Sequence, residues 1–179
     1  MKFSKPYADF VQRLRVPMGF LLLACFVWLA RPSKVSLVVG IPVSLLGLAL
    51  RAWAAGHLAK NEALATSGPY GHVRNPLYLG TLITAAGLAV AAWHAGVAVL
   101  FGSVFLLVYF PAIQLEEEHL RKLFPEFAAY ERKVPAMIPL ARSAVRGKEF
   151  RGERYRRNEE YKALLGWLAA VGWLMYRGI

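Results

Sequence analysis

Residues able to do chemistry concentrate in two stretches. Residues 68–80, GPYGHVRNPLYLG, place Tyr70, His72, Arg74, Asn75 and Tyr78 among two prolines and three glycines. Such a run cannot form the interior of a lipid-facing helix, so it lies at a water boundary or lines a cavity. Residues 115–130, LEEEHLRKLFPEFAAY, set three consecutive glutamates ahead of a proline and three aromatic residues. Three acids at a helix C-terminus would oppose the macrodipole, so the preceding helix is expected to run on through Leu123 and stop before Pro125. On that helix Glu117 pairs with Arg121 and Glu118 with Lys122 at i,i+4. Glu116 instead shares its face with Leu120 and Leu123, where an acid is costly unless it has a partner or a task. His57, His72, His94 and His119 show no metal-ligand spacing, and the single cysteine, Cys25, lies within an apolar run, so no metal site is expected.

The elements that position these residues are membrane helices. With 57% hydrophobic and 18% charged residues and a mean hydropathy of +0.39, the chain is too apolar for an ordinary soluble domain. The net charge of +11 sits beside and between the apolar runs, where positive-inside placement and anionic headgroups account for it without nucleic acid. The N-terminal segment lacks the pattern of a cleavable signal.

Residues 1–15 suit an interfacial helix or a frayed tail, and residues 16–30 form a first apolar run with Pro17 in its first turn. Residues 35–55 are a second span, interrupted by Pro42, with Arg51 snorkelling from its end and Gly40, Ser44 and Gly47 allowing another helix close approach. Pro76 starts the third helix, because its missing N–H would be unpaired in a first turn anyway. Residues 77–93 and 95–115 then make a hairpin that returns residues 56–76 and the acidic stretch to one membrane surface. Residues 142–157 hold seven Lys or Arg against two Glu, which marks that surface as cytoplasmic. The last apolar run, 163–176, has a length of about 21 Å against a hydrocarbon thickness of about 30 Å. It either spans with Tyr161 and Lys162 extending it or lies in the interface anchored by Trp167 and Trp173. Pro125 opens a short surface helix with Phe127 and Tyr130 on one face.

In order and spacing, SGPYGHVRNPLYLG (residues 67–80), a helical hairpin, EEE (116–118) and LFPEFAAYERKVP (123–135) resemble the integral-membrane methyltransferases related to isoprenylcysteine carboxyl methyltransferase and phospholipid N-methyltransferases. The resemblance covers residues 50–140 of what reads as a single membrane-embedded domain over 1–179, with a basic tail and short last helix from 141. It implies an all-α integral membrane bundle of about five transmembrane helices with a cytoplasmic surface helix, in a bacterial inner membrane. It further implies S-adenosylmethionine as cofactor and a lipophilic acceptor, a lipid or a prenylated molecule, entering sideways from the bilayer. Carried over by position, Leu64, Ala65, Tyr70, Asn75, Pro76, Leu77, Tyr78, Glu116 and Glu117 bind the cofactor. Asn75 stands where the carboxyl methyltransferases have histidine, and Ala112 falls near their acceptor-binding arginine.

The residues suit that chemistry. Methyl transfer from a sulfonium is an in-line displacement that needs alignment and a water-poor pocket. Tyr70, Tyr78 and Tyr130 offer aromatic faces to a cationic donor, Glu116 can neutralise a ribose, ammonium or sulfonium group, and backbone donors at Pro76 can receive a carboxylate. Arg74 and Glu116 are the candidate catalytic residues, Arg74 pairing with a carboxylate or orienting an anionic acceptor. His57 and Tyr130 are candidates for substrate binding, His57 or Glu116 accepting a proton from an amine. Two rival classes share parts of the pattern: an NADPH-dependent membrane sterol or enone reductase, and a non-catalytic membrane adaptor.

Overall fold

The computed structural model describes residues 4–139 and 149–178, with no strand among them. Helix α1 (Lys5–Leu29) is continuous, so the interfacial segment and the first apolar run form one element. Pro17 lies inside it, removing one ladder bond without ending the helix. Helix α2 (Lys34–His57) begins with a capping box in which the Ser33 and Ser36 side chains each accept the other's backbone N–H. Pro42 likewise fails to interrupt α2.

A loop and a 3-10 turn (Gly68–Gly71) lead to α3 (Pro76–Ala92), which starts at the expected proline. Trp93, in the left-handed region with φ 48°, ends α3. The His94 imidazole then accepts the Gly96 N–H and opens α4 (Ala95–Leu123). The helical hairpin is therefore present, and its second arm runs through Leu123 as the acidic triplet requires.

One irregularity in α4 has an identifiable cause. Residues Phe105–Tyr109 form a π-turn, just before Pro111, whose ring nitrogen has no hydrogen for the Leu107 carbonyl four residues back. The Tyr7 hydroxyl of α1 donates to that carbonyl at 3.0 Å. A membrane interior offers no water for this group, so the bond from α1 satisfies it.

Past α4 come α5 (Phe127–Glu131), α6 (Gly152–Arg157) and α7 (Tyr161–Gly178). Among the described residues, two helices, α2 and α4, are long and apolar enough to cross a membrane, while the apolar stretches Pro17–Leu29 and Pro76–Ala92 are shorter.

Packing fixes two ends of the bundle. At one end Phe26, Ala30, Ala92, Val97 and Leu174 form a buried cluster, and the Arg177 guanidinium donates to the Ala30 carbonyl. From there α7 accompanies α2 along most of its length. Trp167 Nε1 donates to Ser44 Oγ at 2.8 Å, and Arg51 pairs with Glu160 just before α7 starts. Arg51 therefore does not snorkel to a headgroup; the buried Glu160 and the Thr81 hydroxyl take its donors. The last helix starts at Tyr161 and lies beside α2, and it is not among the helices long and apolar enough to cross a membrane.

Helices α2 and α3 cross in backbone contact. A Cβ on Gly87 would lie 2.7 Å from the Gly40 carbonyl oxygen, and one on Gly47 would lie 2.6 Å from that of Gly80. The small residues at 40, 44 and 47 meet those at 80, 84 and 87, which anchors the start of α3 against the end of α2.

Candidate functional site

A cavity of about 420 Å³ opens at the opposite end, where α2 stops, α3 begins and α4 projects toward α5. Its frame is built on Arg74. The Arg74 Nε and Nη2 donate to the two Glu117 carboxylate oxygens at 2.9 and 3.1 Å, and Nη1 donates to the Glu131 and Val134 carbonyls at 3.0 and 2.8 Å. Asn75 Nδ2 adds a third bond to Glu117 at 2.8 Å. The Arg74 and Asn75 backbone N–H groups donate to the Pro135 and Ala136 carbonyls. One bidentate fork therefore ties the loop before α3 to α4 and to the segment after α5. With Arg74 15% and Glu117 13% exposed, this ion pair is shielded from solvent and much less screened than a surface pair.

Glu116 has a different situation. It is exposed, lines the cavity with Leu120 one turn on, and accepts a hydrogen bond from the Tyr78 hydroxyl at 2.8 Å. Tyr78 stands in the first turn of α3 and is held edge-on by Tyr109, with ring centroids 6.2 Å apart. The Tyr130 hydroxyl of α5 donates to the Tyr70 carbonyl at 2.7 Å, which closes the aromatic wall.

Two i,i+4 pairs expected on α4 are not formed. Glu117 turns to Arg74, Arg121 goes to Glu131 at 2.7 Å, and the Glu118 carboxylate accepts from Gln114. The reason is energetic: an exposed helix pair is worth only about 0.3–0.5 kcal/mol, whereas Glu117 on its inward face meets three good donors. The inward, half-buried acid is thus Glu117, and Glu116 is the one open to the cavity.

Burial raises the Tyr70 phenol well above the ordinary tyrosine value, with the Glu116 charge adding to the effect. Burial likewise raises Tyr130. Both stay neutral in the folded chain, and both ionise near pH 10 once unfolded. Their contribution to stability is complete below about pH 10 and falls as pH rises from there toward the folded-state values. Thermal midpoints measured from pH 8 to 11 should drop above about pH 10, and Tyr130→Phe should flatten part of that drop.

Leu64, Ala65, Tyr70, Arg74, Asn75, Pro76, Leu77, Tyr78, Glu116, Glu117 and Tyr130 all border this one cavity. His57 does not. Its ring lies behind the 3-10 turn, where a Cβ on Gly68 would come 2.6 Å from Nε2, and its Nδ1 sits 2.9 Å from the Trp53 carbonyl oxygen. Sequence reasoning missed the stretch from Leu58 to Ala63 and the ring of Phe124 on the cavity wall. The turn signal Lys-Asn at 60–61 marks the former, Asn61 taking a positive φ of 61°. Among the described residues, no group of three or more His, Cys, Asp or Glu is placed to hold a metal ion.

Comparison with known proteins gives this arrangement a family. The chain is 36% identical over 104 residues to the cobalt-zinc-cadmium resistance protein CzcN of Cupriavidus metallidurans, covering 57% of this chain and 47% of that protein. It is 30% identical over 114 residues to the nickel-cobalt-cadmium resistance protein NccN of Alcaligenes xylosoxydans xylosoxydans, covering 63% and 52%. It is 34% identical over 82 residues to the protein-S-isoprenylcysteine O-methyltransferase of Schizosaccharomyces pombe, covering 45% and 35%. The chain spans about half the length of the first two relatives. No solved structure matches. Residues 14–126 match the family model for phospholipid methyltransferases, a region holding Arg74, Asn75, Glu116 and Glu117, and on that match the chain belongs to the phospholipid methyltransferase family.

Proposed function

We propose that this chain is an S-adenosylmethionine-dependent methyltransferase whose acceptor is a lipophilic molecule entering from the bilayer, with the cavity on the cytoplasmic face of a bacterial inner membrane. The observation that carries the reading is the pairing, in one cavity, of an aromatic wall with Glu116, a carboxylate that bonds to the Tyr78 phenol and to no basic side chain among the described residues. The volume of about 420 Å³ lies within the range of roughly 300–1,000 Å³ usual for small-molecule sites. An acid beside phenol rings suits a cationic nucleoside.

S-Adenosylmethionine supplies an electrophilic methyl group on a sulfonium. Glu116 and Tyr78 would hold its cationic or ribosyl groups, the Tyr70 and Tyr130 wall would exclude water, and the loop through Leu64 and Ala65 would cover it. Four Arg74 donors are already taken by protein acceptors, so Arg74 acts by positioning Glu117 and the start of α3. Ala112 gives the cavity no guanidinium for an acceptor carboxylate. An acceptor whose nucleophile carries a proton fits better, with Glu116 taking that proton.

Glu116→Gln should weaken S-adenosylhomocysteine binding at least tenfold, measured by isothermal titration in detergent. Glu118→Gln should leave it unchanged, because Glu118 bonds to Gln114 and does not border the cavity. Equal affinities for the two variants would overturn the assignment. Transfer of a labelled methyl group to total lipid extract from the native host tests the activity itself.

A further inference from the structure

The basic segment around α6 lies outside the family match, and its contacts go to the end of α2 and to the loop that leads from it along the cavity. The Arg151 N–H donates to the Gly56 carbonyl at 3.0 Å, Arg154 Nη1 donates to the His57 carbonyl at 3.3 Å, and Asn158 Nδ2 donates to the Ala55 and Leu58 carbonyls at 3.0 and 3.1 Å. The Gly56 and His57 carbonyls among them belong to the last turn of α2, which leaves them without helical partners. Leu58 is also the first residue of the loop that walls the cavity. Further along that loop, Glu62 pairs with Arg157 at 2.6 Å. α6 thus holds both the root and the middle of the cavity loop.

Two arginine side chains of this segment are not used inward. Arg151 and Arg156 are exposed and make no side-chain bond with any described residue. Tyr161 follows them, exposed at 41%, as aromatic residues are at a membrane interface, while Phe150 packs edge-on against the His57 ring. The Arg51–Glu160 pair fixes the junction of α6 and α7 to the end of α2, so the arginines sit at the level where an apolar helix ends. In sequence, Arg142, Arg146 and Lys148 precede them.

We propose that α6 docks on anionic phospholipid headgroups of the surrounding bilayer, Arg151 and Arg156 taking the phosphates while Arg154 and Arg157 brace the loop at residues 58–65. The juxtaposition converts lipid charge into order at the cavity wall, because fixing α6 fixes the partners of His57, Leu58 and Glu62. An exposed pair such as Arg157 with Glu62 is weak when both ends move, and it strengthens when one end is held. The consequence for the cofactor rests on the methyltransferase reading; the docking and the bracing do not.

The test is amide hydrogen exchange on the full chain, without cofactor, in nanodiscs of pure phosphatidylcholine and in nanodiscs with about a third phosphatidylglycerol. Exchange at residues 58–65 should slow about fivefold in the anionic discs. Arg151→Gln/Arg156→Gln should abolish the difference, and Arg151→Lys/Arg156→Lys should retain it, since charge carries the docking. Arg157→Gln should leave α6 protected by anionic lipid while the loop is no longer slowed. Equal or faster loop exchange in anionic discs, or an undiminished effect in the double glutamine variant, overturns the proposal. S-Adenosylhomocysteine should bind about threefold more tightly in the anionic discs, and equal affinity overturns the regulatory consequence. Binding in neither disc refutes the methyltransferase reading, while loop exchange still decides the docking.

Discussion

Arg74→Met is expected to lower the unfolding free energy by about 3 kcal/mol, the lower end of the cost of removing one member of a buried ion pair. It should also eliminate detectable cofactor binding. Among the described residues, the guanidinium is the one group that bonds to Glu117, the Glu131 carbonyl and the Val134 carbonyl together. Without it a largely buried carboxylate keeps only the Asn75 amide, and the end of α5 loses its side-chain tie to the loop before α3, leaving the backbone bonds to Pro135 and Ala136. Lysine would not substitute, because one ammonium cannot fill a bidentate carboxylate and two divergent carbonyls. The double variant Arg74→Met/Glu117→Leu separates the two consequences: it should recover most of the lost stability, since no charge is left unpaired, and should still bind no S-adenosylhomocysteine. Denaturant unfolding in detergent measures the first and isothermal titration the second. A loss of stability below about 1 kcal/mol in Arg74→Met would show that the fork does not hold the loop.

This dependence explains which parts of the molecule could be read from the sequence. The helical hairpin, the helix start at Pro76 and the run of α4 through Leu123 follow from local rules about proline, glycine and helix ends, and each is present. The cavity's membership was largely legible for a similar reason, since polar groups between apolar runs have few places to go. Pairing was not. For Glu117 the local pattern offers Arg121, whereas the structure uses Arg74, 43 residues away in sequence. A periodicity argument weighs only neighbours on one helix and cannot see a better donor from another element. The same holds for Arg51, whose partner Glu160 comes from the far end of the chain. The capping of α2 by Arg151, Arg154 and Asn158 was invisible because its acceptors are backbone carbonyls, which every residue possesses. His57 shows the converse: a histidine beside a polar loop invites a chemical role, yet its ring supports the Gly68 turn, whose φ of +60° needs glycine.

Gly87→Leu is expected to prevent folding, with no monodisperse protein recovered in detergent, whereas Gly102→Ala should be neutral or slightly stabilising. Both positions are glycines inside apolar helices, so composition and propensity treat them alike and give alanine a gain of about 0.5–1 kcal/mol at each. Surroundings separate them. Around Gly102 nothing lies within 4 Å of an added Cβ, while at Gly87 the obstacles are the Gly40 carbonyl and the Ser44 backbone. Side chains rotate away from an inserted methyl group, but a helix backbone moves only by moving the helix, so the cost exceeds the ordinary overpacking range of about 1–3 kcal/mol. Displacing α3 from α2 would also shift Tyr78 and Asn75, which carry the bonds to Glu116 and Glu117. Gly87→Ala therefore serves as the graded case: its smaller displacement should lower cofactor affinity in proportion to the loss in thermal midpoint, because one crossing sets both. A Gly87→Ala protein with a reduced midpoint and full affinity would show that the cavity is positioned independently of the crossing.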